Sequence, residues 1–182
     1  FRGYRVWELP PNNQSIAALE MLRILETYDL KAMGHNSPAY LHHLIEAKKL
    51  AYADLDRFVG DADHLDMPAE QMLTDEFIAE RRSHMNPTRA QERVDPGLAR
   101  TKSETVYLTA AHAEGNMVSF INSIYDYFGS GIVVPGTGFA LHNRGALFTL
   151  EAGHPNVLAP RKRPLHTIIP AFLSRDGRPV MS

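Results

Sequence analysis

At 182 residues the chain is long enough for one domain with a real core, and 44% hydrophobic with 22% charged residues is the balance of an ordinary globular protein, which excludes disorder as its default state. A net charge of -2 and a pI near 6.5 leave no field that would gather phosphates or an anionic membrane, so a small substrate is expected and nucleic acid is not. The absence of cysteine removes disulfides, thiolate nucleophiles and cysteine zinc sites but leaves the compartment open, cytoplasmic or exported.

Residues 1 to about 100 carry helical punctuation, and the remainder carries strand punctuation. Phe1-Arg2-Gly3-Tyr4 reads as an internal start, with no signal peptide and no apolar run near the roughly 20 residues that span a bilayer. A short strand is expected around Tyr4 to Glu8, then a turn at Pro10-Pro11-Asn12-Asn13. Ser15 is expected to cap a helix whose apolar positions Ala18, Met21, Leu22 and Leu25 fall at spacings of three and four, ending near Tyr28. Ser37-Pro38 places an N-cap before a proline at the first helical position. Leu41, Leu44, Ile45, Lys48, Ala51, Tyr52 and Leu55 then read as the buried stripe of the longest helix. Gly60-Asp61-Ala62-Asp63 stops that helix, Pro68 restarts the chain, and Thr74-Asp75-Glu76-Phe77 opens a short helix through roughly Met85. The polar stretch from Asn86 to Glu104, broken by Pro87 and Pro96, reads as an exposed linker.

Thr105 to Ala110 and Met117 to Ile124 are β-prone and flank the turn signal Glu114-Gly115-Asn116, so a hairpin is expected. Gly129, Gly131, Gly136 and Gly138 interrupt the next section. Thr167 to Leu173, Ser174-Arg175-Asp176-Gly177 and Arg178 to Met181 form a second hairpin pattern, with the final strand continuing past Ser182. The fold class is therefore α+β, helical in its first half and mainly β in its second.

A polar linker ending at a threonine that opens a strand suits an enzyme that cuts its own backbone and uses the new N-terminus. A threonine hydroxyl is a poor nucleophile at neutral pH. A free α-amine on the same residue, with an unperturbed pKa near 8, can take its proton over a short path. By spacing alone a threonine in this place is usually just a β-former.

The segment Glu8-Leu9-Pro10-Pro11-Asn12-Asn13-Gln14-Ser15 through Leu22 resembles the large subunit of the γ-glutamyltranspeptidases, as do His43 to Asp54 and Arg57-Phe58-Val59-Gly60-Asp61. In the second half Glu114-Gly115-Asn116, Phe128-Gly129-Ser130-Gly131, Pro135-Gly136-Thr137-Gly138, Gly153-His154-Pro155-Asn156 and Lys162-Arg163-Pro164-Leu165-His166-Thr167 continue the resemblance in the family's order. It covers nearly the whole chain. The resemblance implies part of an N-terminal-nucleophile hydrolase, an αββα sandwich matured by autocleavage between Glu104 and Thr105. Residues 1–104 would be the C-terminal part of the large subunit and residues 105–182 the N-terminal part of the small one. Thr105 then becomes nucleophile and base toward a small γ-glutamyl or related amide, with water or an amine as acceptor and no cofactor or metal. Ser123 falls where the family has a hydroxyl bonded to the nucleophile. Thr167 keeps a hydroxyl in a substrate-binding pair.

Departures from the family pattern bear on the substrate. Arg144 and Leu147 stand where the family holds a substrate α-amine with a carboxamide or carboxylate and an aspartate, His166 replaces the first serine of the pair, and Tyr125 replaces an asparagine near the nucleophile. An ammonium would meet a cation and an apolar chain there. The family's oxyanion-hole glycines are expected just past Ser182 and its carboxylate-gripping arginine before Phe1, so the chain alone is expected to be inactive and its open strand edges poorly soluble. A second reading keeps the same fold as a non-catalytic structural or binding relative.

Other candidates have plainer readings. His42, His43 and Glu46 lack the HExxH order and read as an exposed helix edge, and Asp61, Asp63 and Asp66 read as a capping turn in place of a calcium loop. The two Gly-x-Gly pairs lack the third glycine of a nucleotide loop, and Arg161-Lys162-Arg163 reads as a solvated basic loop.

Overall fold

A computed structural model describes residues 1–92 and 105–182; Glu104 and the rest of the expected linker from residue 93 onward lie outside the described residues. Among the described residues the first half holds three α-helices, α1 (Ser15–Leu25), α2 (Pro38–Phe58) and α3 (Asp75–Ser83), with two short 3-10 turns between α2 and α3. Ser37 caps α2 as expected, its Oγ accepting the Tyr40 N–H at 3.1 Å ahead of Pro38, and Thr74 caps α3 by accepting from Phe77. The start of α1 differs from expectation. Ser15 lies inside the helix, and the side chain of Asn13 accepts the Ser15 N–H at 2.9 Å, so the cap-like contact comes from two residues upstream.

The buried faces of α1 and α2 are also rotated from the apolar stripes read off the sequence. Leu41 and Ile45 of α2 are exposed, whereas His43, Glu46, Ala47, Leu50, Ala51, Asp54 and Leu55 face inward. On α1 the inward residues include Glu20, with Ile24 and Leu25. On α2 the buried acids explain the difference, because each has a counterpart. Glu46 accepts from Lys49 Nζ at 2.6 Å and from the Gln91 N–H at 3.0 Å, while Asp54 lies 2.7 Å from Arg81 Nε of α3. His43 donates to the Ala39 carbonyl and meets the Tyr28 ring edge-on, so it is a buried residue and not an exposed edge. Lys48 is exposed with its ammonium over the Tyr52 ring.

Five strands complete the α+β architecture: β1 (Arg5–Trp7), β2 (Thr105–Ala111), β3 (Met117–Ser123), β4 (Phe172–Arg175) and β5 (Arg178–Met181). β2 and β3 form one antiparallel hairpin, and β1, β4 and β5 form a three-stranded sheet in that order. The β4–β5 connection is a two-residue turn in which Asp176 and Gly177 both have positive φ, the backbone that suits the right-handed twist of paired strands. β4 starts at Phe172 and not at the expected Thr167, because residues 124–171 run as turns, isolated bridges and one 3-10 turn at Arg144–Leu147. The Gly-x-Gly pairs bend this stretch; Ser130 donates its N–H to the Leu141 carbonyl, and Val133 bridges Ala140.

The two halves are sewn together across the junction. β1 pairs with β4 in the register Val6 to Leu173, and Asn12 Nδ2 donates to the Pro164 carbonyl at 2.6 Å. Gly60 sits where a Cβ would lie 2.4 Å from the Pro155 carbonyl oxygen, so only glycine lets these backbones meet. The basic cluster is not merely solvated: Arg163 forks onto the buried Asp61 carboxylate, whose pKa is driven down first by that side-chain bond. Asp61 also caps its own turn, as expected, by accepting from the Asp63 N–H.

Glu20 is fully buried beside Asp54, and burial first, then hydrogen bonding and repulsion from Asp54, hold its carboxyl well above the usual range. A raised folded pKa means that this stabilising contribution is complete below the unfolded value of 4.5 and is lost as pH rises through the folded one. Glu20→Gln, which keeps the neutral shape, is expected to flatten the alkaline decline of Tm in the complete protein, and Glu20→Ala to flatten it equally but from a lower starting Tm, because it leaves a cavity worth roughly 2 kcal/mol or more. Thermal denaturation at pH 6 and pH 8.5 measures both.

Candidate active site

Antiparallel pairing in β2 and β3 sets Thr105 opposite Ser123, the first residue of one strand against the last of the other. The Thr105 hydroxyl donates to Ser123 Oγ at 3.1 Å. Two further donors converge on that oxygen, Arg144 Nη2 at 2.8 Å and the Tyr125 N–H at 3.1 Å. A serine oxygen has two lone pairs, so three donors share it. The arrangement positions the threonine oxygen at the end of the hairpin.

Tyr125 can aim its N–H this way because its backbone lies at φ 79°, a conformation an aromatic residue rarely adopts and the surrounding structure must enforce. Its ring is buried and lies under the Arg144 guanidinium, 5.2 Å from the ring centre.

Arg144 is fully buried on the 3-10 turn Arg144–Leu147. Its Nη1 donates to Thr167 Oγ1 at 2.7 Å while Nη2 holds Ser123, so one guanidinium joins the hydroxyls of two distant loops. Nε is buried with no partner among the described residues. Burial lowers the Arg144 pKa, with the Tyr125 side chain acting in the opposite sense, yet a guanidinium stays charged at neutral pH. Among the described residues it makes no ion pair with a carboxylate, and its neutral partners leave the positive charge uncompensated.

The other expected substrate-binding residues flank this chain of contacts. His166 bridges Asn13, and its ring meets that of His142 edge-on at 6.3 Å. Leu147 is buried at the far end of the 3-10 turn from Arg144, its carbonyl accepting from Asn156 Nδ2 at 2.7 Å. Thr105, Ser123, Tyr125, Arg144 and Thr167 thus come together, whereas the contacts of His166 and Leu147 run to Asn13, His142 and Asn156. Two positioning residues escaped the sequence reading. Gln14 donates its carboxamide to the Thr167 carbonyl at 2.6 Å, and the buried Asn156 also accepts the Leu165 N–H. Both lie within family motifs, but which backbone a carboxamide supports is set by distant chain crossings. Among the described residues no group of three or more His, Asp or Glu is gathered to hold a metal.

Burial first, then repulsion from Arg144 and His142, holds His166 down at about 4. Because that lies below the unfolded value of 6.5, its contribution to stability is complete above about pH 6.5 and is lost as pH falls toward 4. His166→Asn in the complete protein is expected to shrink the drop in Tm between pH 7 and pH 4.5, read by thermal denaturation across that range.

The sequence profile of the family described as gamma-glutamyltranspeptidase matches residues 1–182. A glutathione hydrolase-like YwrD proenzyme from Bacillus subtilis is 37% identical over 179 residues, covering 98% of this chain and 33% of the relative. An oxamate amidohydrolase proenzyme from Klebsiella pneumoniae is 36% identical over 174 residues, covering 95% of this chain and 32% of its own length. The crystal structure of a cephalosporin acylase from Bacillus halodurans superposes with a TM-score of 0.84 at 43% identity, over 100% of this chain and 32% of that one. This chain spans about a third of the length of these relatives. With a match over every residue and an α+β arrangement shared with N-terminal-nucleophile hydrolases, the chain belongs to the γ-glutamyltranspeptidase family.

Proposed function

We propose that the protein containing this chain is an N-terminal threonine hydrolase or acyltransferase that matures by cutting itself between Glu104 and Thr105. The observation that carries this reading is the Thr105 hydroxyl, at the head of β2, held 3.1 Å from Ser123 Oγ. In maturation the Thr105 oxygen attacks the Glu104 carbonyl carbon, the peptide C–N bond breaks, and its nitrogen takes up the proton as the Thr105 α-amine. Water then hydrolyses the ester, leaving a carboxylate on Glu104 and a restored hydroxyl on Thr105.

In turnover the Thr105 oxygen attacks a substrate amide while the α-amine, with an unperturbed pKa near 8, accepts its proton and passes it to the departing amine. The acyl ester is released by water or by an acceptor amine. Ser123 positions the nucleophile, and Tyr125, Arg144, Leu147, His166 and Thr167 border the acyl group. The pairing of β1 with β4 and the fork of Arg163 on Asp61 support the reading in another way, since they would hold the two products of cleavage together as large and small subunits. Relatives named for glutathione, oxamate and cephalosporin share the family, which favours a small amide as substrate without choosing among acyl groups.

Mass spectrometry of the complete protein is expected to find two chains, the smaller beginning at Thr105, and Thr105→Ala is expected to leave one intact chain. An unbroken wild-type backbone in an active enzyme overturns the mechanism. Ser123→Ala should slow maturation and lower kcat by about tenfold or more with KM little changed, because it removes a contact to the nucleophile and not to the bound amide.

A further inference from the structure

The Arg144 guanidinium is a fixed positive charge two hydrogen bonds from the Thr105 oxygen, through Ser123 Oγ. It is fully buried, and among the described residues it is paired with neutral groups alone, namely two hydroxyls and an aromatic ring. The imidazoles of His142 and His166 beside Arg144 add no negative charge, and Leu147 on the same turn is apolar. An acyl group small enough to sit on Thr105 therefore lies near a positive charge that pairs with no carboxylate among the described residues.

We infer that Arg144 makes this site select by charge, admitting amides whose acyl part is neutral or carries a carboxylate and rejecting those that carry an ammonium. The inference rests on Thr105 being the nucleophile. Its strength follows from Coulomb's law: a like charge on the order of 6 Å away, at an effective dielectric constant of about 20, disfavours binding on the order of a hundredfold. Water entering the site reduces this, so about tenfold is the effect to expect. The selection needs no direct bond to substrate, because a like charge repels across the gap without touching it.

The test uses the complete protein and two p-nitroanilides, glutaryl and γ-L-glutamyl, which differ only by one ammonium group. Wild-type enzyme is expected to show a kcat/KM about tenfold or more higher for the glutaryl compound. Arg144→Gln should bring the ratio toward one, and Arg144→Lys should keep it. Any disturbance of Ser123 in these variants acts on both substrates and cancels in the ratio. If Arg144→Gln does not mature, calorimetric titration of the matured wild type with glutarate and L-glutamate gives the same comparison, and tighter binding of glutarate supports the inference. A matured enzyme that prefers the γ-glutamyl anilide or L-glutamate, or a ratio unchanged in Arg144→Gln, overturns the charge selection and leaves the nucleophile standing. A wild type that remains one chain and cleaves neither anilide overturns the Thr105 reading and this inference with it.

Discussion

The burial of one guanidinium constrains the rest of the site. Arg144 has no exposed surface and no acidic partner among the described residues, so its charge is supported by the hydroxyls of Ser123 and Thr167 and by the face of Tyr125. Each of these supports is held in turn. Ser123 ends β3, Tyr125 takes a strained backbone to reach the same oxygen, and the Thr167 carbonyl is supported by Gln14. An isolated buried cation is costly, and truncating any one support would strand part of that cost on the others. The hydroxyl geometry around Thr105 is therefore coupled to loops far from it in sequence.

That coupling works because the second half of the chain does not build its own core. The two buried apolar clusters draw on α1, α2, α3 and the turn after Pro68, and Leu165 alone of their buried residues comes from beyond Thr105. The β2–β3 hairpin presents Val106, Leu108, Val118 and Phe120 outward instead. It meets the rest of the chain through Ser123 with Arg144 and through Thr109 and Val118 with Ser182, while β1 with β4, Asn12 with Pro164 and Asp61 with Arg163 join the two halves elsewhere. The candidate site is built from residues 105–167 and leans on the first half through Gln14 at Thr167 and Asn13 at His166.

Acidic residues inside the helical half explain why its periodicity misleads. Glu20, Glu46 and Asp54 are among the most buried side chains of α1 and α2. Hydrophobic spacing treats such residues as solvent-facing and rotates the expected stripe toward Leu41 and Ile45. The true face becomes legible only with the partners in view, because Lys49, the Gln91 backbone and Arg81 are what make burial of Glu46 and Asp54 tolerable. Arg163 is the mirror case, a basic residue in a cluster that looks solvated until Asp61 is found beneath it.

Local rules were sufficient wherever the physics was local. Ser37 before Pro38, Thr74 before α3, the Asp176-Gly177 turn and the hairpin around Gly115 follow from capping chemistry and backbone preference within a few residues. The sequence also pointed, through its ordered family motifs, to Thr105, Ser123, Tyr125, Arg144 and Thr167 as candidate site residues, together with Leu147 and His166. Tertiary structure alone decided that the first five meet, that Arg144 spends its hydrogen bonds on two hydroxyls, and that Gln14 and Asn156 hold the loops around them. Arg144 reaches 21 residues back to Ser123 and 23 forward to Thr167, and Gln14 lies 153 residues from the carbonyl it supports. A charge or a carboxamide carries no local mark of which distant group it will face.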